Sequence, residues 1–143
     1  MKLNMDIKLN LNESSDDEIK KAELILFQCM AKMEELAKMK VAVDTGRLKN
    51  SITLNPTYPG ARRYVLSDGV EYGIDIEYGT SPHIVPLAPL QGWAGRVLGN
   101  KSLGAAVKSK IAMKGTQAQP FMRPAYHEVA SYWLGVFSKD VYG

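Results

Sequence analysis

The feature that most constrains this chain is an uninterrupted amphipathic stretch from Ile19 to about Met39, free of Gly and Pro. Ala22, Ile25, Leu26, Cys29, Met30, Met33, Leu36 and Ala37 recur in it at three-and-four spacing, the period of a helix that buries one face. Ser15-Asp16-Asp17-Glu18 ahead of it reads as a capping box, with acids at the positive end of the helix dipole. Upstream, Leu3, Met5, Ile7, Leu9 and Leu11 alternate with polar residues from Lys2 to Asn12. Period two predicts a strand with one buried face. Met5, Met30, Met33 and Met39 are read as gap-filling core.

Asp44-Thr45-Gly46 ends the helical pattern, and three short strand candidates follow: Ser51–Asn55, Arg63–Ser67 and Val70–Tyr78. The Pro56/Pro59/Gly60 cluster separates the first two, and Asp68-Gly69 between the others is a two-residue hairpin signal. Pro82, Pro86 and Pro89 argue against helix or central strand. The Gly-punctuated stretch 90–114 suggests short helices around Trp93–Leu98 and Leu103–Met113. Pro120 to Pro124 opens a last helix, from about Met122 to Asp140, with Ala125, Val129, Tyr132, Trp133, Val136 and Phe137 on one face. The expected fold is α+β: a small antiparallel sheet, made of a meander plus the N-terminal strand, packed with a long N-terminal and a C-terminal helix. One domain over 1–143 is expected, with a basic Pro/Gly-rich insertion at about 81–119.

Composition narrows the function. Hydrophobic residues make up 45% and charged residues 23%, which argues against disorder. No apolar run approaches the roughly 20 residues that span a bilayer, and the alternating N-terminus is not a signal-peptide core. Cys29 is the only cysteine, so no internal disulfide or cysteine-cluster metal site is available. A product of a reducing cytoplasm is expected. The net charge of +3 is unevenly spread. Residues 1–77 carry 11 basic and 13 acidic side chains. Residues 78–127 carry Arg96, Lys101, Lys108, Lys110, Lys114 and Arg123 with no Asp or Glu. Such a basic surface suits nucleic acid or an acidic protein neighbour, and otherwise reads as a solvated face.

Catalytic motifs fare poorly. Val43-Asp44-Thr45-Gly46 resembles the active-site tripeptide of aspartic proteases, with Val97-Leu98-Gly99 as the second, apolar element of the retroviral type. However, the tripeptide follows a helix, and the adjacent Arg47 holds carboxylates ionised where the dyad needs a shared proton. The alternative is that Asp44 or Thr45 caps the segment Arg47–Ser51. Gly95 to Ser102 misses the phosphate-loop pattern at Asn100, and no strand precedes it. His83 and His127 have no carboxylate at ligand spacing, so His83 reads as a hydrogen-bonded surface residue. No cofactor or metal is expected.

Three segments, read together, carry a resemblance: Val43-Asp44-Thr45-Gly46-Arg47-Leu48-Lys49-Asn50-Ser51-Ile52, then Tyr72-Gly73-Ile74-Asp75-Ile76-Glu77-Tyr78-Gly79-Thr80, then Gly115 to Ala125 with Pro120-Phe121-Met122-Arg123-Pro124. Their order and spacing resemble the small neck or head–tail joining proteins of long-tailed bacteriophages, often labelled minor tail components or tail-completion proteins. Ala42-Val43 stands where that family often has a proline, and the segment 88–114 varies within it. The resemblance implies a non-enzymatic virion protein, assembled in the bacterial cytoplasm. It would form a ring, sixfold by expectation, between head-completion or connector proteins and tail-tube or tail-terminator proteins. It also implies assembly or partner contacts at Asp44, Thr45, Gly46, Arg47, Glu77, Gly79, Thr80, His83, Pro120, Phe121 and Pro124. The basic residues Arg96, Lys101, Lys108, Lys110 and Lys114 would then meet passing DNA or an acidic rim. The other readings are an aspartic protease using Asp44 and a free, non-specific DNA-binding protein.

Overall fold

The capping box at Ser15 is formed in the computed structural model: the Ser15 hydroxyl accepts from Glu18 N–H, and the Glu18 carboxylate accepts from Ser15 N–H at 3.0 Å. It opens α1 (Asp16–Lys40), whose buried face is Ala22, Leu26, Cys29, Met30, Met33, Leu36 and Ala37. Met39 lies outside that stripe and is exposed, so it is not core filler. The structure describes residues 3–8, 15–56 and 63–142, with the backbone alone for 56, 132–134 and 136–142. The Leu9–Leu11 end of the first strand and the Pro59-Gly60 turn fall outside the described residues.

Among the described residues the sheet has three antiparallel strands, β1 (Asn4–Lys8), β2 (Thr53–Pro56) and β3 (Arg63–Ser67), in the order β1-β3-β2. Met5 pairs with Leu66 and Leu54 faces Leu66 from the other side, so the alternation seen in sequence lays one apolar row on α1. On the exposed face of the sheet, Arg63 of the central strand holds Asp6 of β1 through Nε and Nη2. The fold is therefore α+β, with the sheet on one side of α1 and α6 (Met122–Tyr142) packed along it. The core gathers α1 with Val41, Leu48, Ile52, Leu66, Val70, Phe121, Met122, Ala125 and Val129. Of the face predicted for the last helix, Ala125 and Val129 are buried, and the other four side chains lie outside the described residues.

Two expectations need correction. The segment Val70–Tyr78 is not a strand, and Asp68-Gly69 is not a hairpin turn; the chain bends there and enters α3 (Gly73–Tyr78). Gly73, Ile76 and Glu77 face inward at helical spacing, and a Cβ on Gly73 would overlap the buried Asp68 carboxylate. The Pro-rich segment is not wholly irregular either. Pro86 precedes α4 (Leu87–Val97) and Pro89 sits in its first turn, where a missing N–H costs no helical bond.

From α4 the chain passes through a 3₁₀ turn (Lys101–Leu103) into α5 (Gly104–Lys114), and these pieces pack chiefly on one another. Gly104 allows this closeness, because a Cβ there would lie 2.8 Å from the Gln91 nitrogen. Ala94 and Ile111 are buried within this hairpin. Among the described residues, no member of the main core comes from 87–114. The hairpin is an arm attached to the body.

Candidate functional site

The last helix begins without a Ser, Thr, Asp or Asn before Met122, so its first amide donors have no local cap. Glu77, at the C-terminal end of α3, supplies one from a distance. Its carboxylate is fully buried and accepts from Phe121 N–H (2.7 Å), Met122 N–H (2.8 Å) and Arg123 N–H (2.9 Å). Pro124 follows and has no N–H to satisfy. Arg123 closes the arrangement: Nε donates to Glu77 Oε1 at 3.0 Å, Nη2 to the Glu77 carbonyl at 3.2 Å, and the guanidinium lies 4.4 Å from the Tyr78 ring centre. Burial alone would push the Glu77 carboxyl up. The three amides and Arg123 outweigh it and hold the group below the usual glutamate range.

Gly79 ends α3 with φ +73°, and Thr80 then pairs with Thr116 as a single antiparallel bridge. Thr80 N–H donates to Thr116 O at 3.0 Å and Thr116 N–H to Thr80 O at 3.1 Å, with the two hydroxyls 2.9 Å apart. Gly115, at φ +70°, makes the matching turn on the other side, where a Cβ would collide with the Thr80 carbonyl. A Cβ on Gly79 would lie 2.5 Å from Thr116 O. Gln119 N–H, which donates to Ile76 O at 2.7 Å, extends the clasp to Pro120. The second and third sequence segments are thus interlocked at the base of the arm. His83 is an exposed residue of this base, its Nδ1 2.9 Å from the Ser81 carbonyl and its N–H bonded to Ile111 O.

The first segment meets the arm elsewhere. Arg96 of α4 binds Asp44 with both Nε and Nη2 at 2.7 Å. This bidentate contact from Arg96 holds the Asp44 carboxyl below the usual aspartate range. Asp44 therefore does not cap α2 (Arg47–Ser51). Gly46 starts that helix in the left-handed region at φ +84°, and Thr45 Oγ1 takes a long contact from Arg47 N–H at 3.4 Å. Arg47 reaches back over Tyr72, at 5.9 Å.

Several expected partner residues are thereby given internal work. Glu77 and Phe121 are completely buried in their own chain, so neither is a surface contact of the folded subunit. Arg96 and Arg123 are exposed but paired with Asp44 and Glu77, so the stretch without acids in sequence is not without acids in space. Lys101, Lys108, Lys110 and Lys114 keep unpaired charges among the described residues. Asp44, Thr45, Arg47, His83 and Pro120 are exposed, whereas Gly46, Gly79, Thr80 and Pro124 are partly covered. Gly95 to Ser102 forms a helix end and a turn, not a phosphate loop: Asn100 Oδ1 accepts from Ser102 N–H at 2.9 Å.

An ionised, arginine-clamped Asp44 is the opposite of the proton-sharing carboxylate that an aspartic dyad uses. We expect no acid-range, pepstatin-sensitive peptidase activity from the wild type. Asp44→Asn should instead loosen the arm, seen as faster tryptic cleavage at Lys101–Lys114 with the body intact. An acid peptidase that vanishes in this variant contradicts the assignment of Asp44 to a structural contact. Among the described residues there is no cluster of His, Cys, Asp and Glu able to hold a metal, and no helix long and apolar enough to cross a membrane. No protein-family model, curated protein or solved structure matches the chain.

Proposed function

We propose that this chain is a virion structural protein of a tailed bacteriophage, forming a ring in the neck that joins the head connector to the tail. The observation that carries this reading is the arm. It stands outside the main core, and it and its base expose large apolar side chains that the subunit leaves uncovered: Ile84 (86%), Val97, Leu98 and Leu103. Exposed apolar groups on a projecting element favour burial against another protein surface. One face of a subunit meeting a different face of the next generates a closed ring when the rotation closes. The residues of the three resembling segments fit the same reading. They fix the shape of the arm's base and the start of α6, and shape is what a repeated contact requires.

In this proposal the neighbours are further copies of the chain, sixfold around the axis, with connector or head-completion proteins above and tail-tube or tail-terminator proteins below. Its place is the virion neck after assembly in the host cytoplasm, and it carries out no catalysis. The test is the paired variants Ile84→Asp and Leu98→Asp. Both positions are exposed, so each variant should keep the wild-type melting temperature and far-ultraviolet spectrum. Each should lose higher-order assembly in size-exclusion chromatography with light scattering. Wild-type assembly by both variants counts against the arm as the contact.

A further inference from the structure

Four lysines of the arm, Lys101, Lys108, Lys110 and Lys114, have no acidic partner among the described residues once Arg96 and Arg123 are assigned to Asp44 and Glu77. Their placement on α5 is ordered by one buried residue. Ile111 is the side chain that α5 turns inward; Lys108 lies three residues before it and Lys114 three after it. At 3.6 residues per turn these two fall on opposite flanks of the buried seam, with Lys110 beside Lys114. Between the flanks the outward surface consists of Ala105, Ala106, Ser109, Ala112 and Met113, all exposed and none acidic. Lys101 adds a fourth cation at the head of the helix, its stem lying where Gly95 has no side chain, with Cγ 2.9 Å from the position of a Cβ.

We infer that α5 is a contact surface for the sugar–phosphate backbone of DNA, bound without sequence preference. A helix with cations on both flanks and, apart from the flexible Met113, short side chains between them can approach a strand closely and place ammonium groups on phosphates to either side. Nothing on its outward face is built to read base edges: no Arg, Asn or Gln stands between the lysine flanks. An acidic protein surface is the competing partner. The sequence-independent polyanion is favoured because the outward face carries cations and no acid, which complements a surface of uniform negative charge, whereas protein surfaces intersperse both signs. The inference goes beyond the ring and is read on the subunit whether or not rings form.

The test is fluorescence anisotropy of the full chain with a labelled random-sequence DNA duplex over a salt series. A poly-glutamate of matched charge is the second probe. If each of the four lysines neutralises one phosphate, the logarithm of affinity should fall against the logarithm of salt with a slope of about −3.6, so that a fourfold rise in salt weakens binding ~100-fold. Replacing all four lysines by Gln should remove most of that slope and leave the melting temperature unchanged. The milder Lys110→Gln/Lys114→Gln pair should remove about half, which keeps the test decisive if the fourfold variant does not fold. Scrambling the duplex should leave the affinity unchanged. An unaltered slope in the lysine variants, or poly-glutamate binding as tightly as DNA at the same salt, overturns the inference.

Discussion

Replacing Glu77 by Ala should be among the most damaging single changes available in this chain. The buried N–H groups of Phe121 and Met122 would lose their acceptor, at about 1–3 kcal/mol each, so the loss is roughly 2–6 kcal/mol. Arg123 would be freed into solvent, so it adds no buried charge to that figure. Urea unfolding of the variant should show the loss as a shifted midpoint. The same carboxylate gives the fold an acid limit. Its folded-state pKa is depressed, so its stabilisation is fully present above the ordinary glutamate value of 4.5 and is lost as pH falls through the lower folded value. Glu77→Gln should flatten the pH dependence of unfolding in that acid window. A variant that unfolds with wild-type midpoint and wild-type acid response would show that α6 is held by something other than Glu77.

This acid also explains why part of the fold was legible in sequence and part was not. α1, β3 and the start of α6 follow from apolar spacing, a capping box and a proline in a first helical turn, all local signals. α3 does not, because Val70, Tyr72, Ile74, Ile76 and Tyr78 alternate like a strand, while the positions that face inward are Gly73, Ile76 and Glu77. A glycine and a glutamate at buried positions erase the helical stripe from any hydropathy pattern. The signal that remained was indirect: a helix opening at Met122 with no capping residue of its own needs an acceptor from elsewhere in the chain. The pairing of Asp44 with Arg96 was invisible for a similar reason, since charge counted along the chain says nothing of acids that lie 52 positions away.

Phe121→Ala should cost roughly 3–5 kcal/mol, the usual range for emptying a fully buried aromatic site. Phe121 is completely enclosed in the core formed by α1, β3 and α6, next to the helix start that Glu77 holds. The lesion therefore belongs to the subunit and not to assembly: melting temperature should fall before any effect on oligomers is seen. A variant that melts like the wild type but fails to assemble would move Phe121 from the core to an interface. Because Phe121 and Glu77 act on the same turn, the double variant should cost less than the two single changes added together.

The proposed function requires copies of this subunit to close into a ring through the arm. Electron microscopy of the purified protein, taken across a concentration series and after mild cross-linking, tests that most directly. A subunit that assembles through the arm gives closed rings of uniform diameter around an open channel, lost in Leu98→Asp. Single subunits at every concentration, with cross-linking trapping nothing larger, would contradict it.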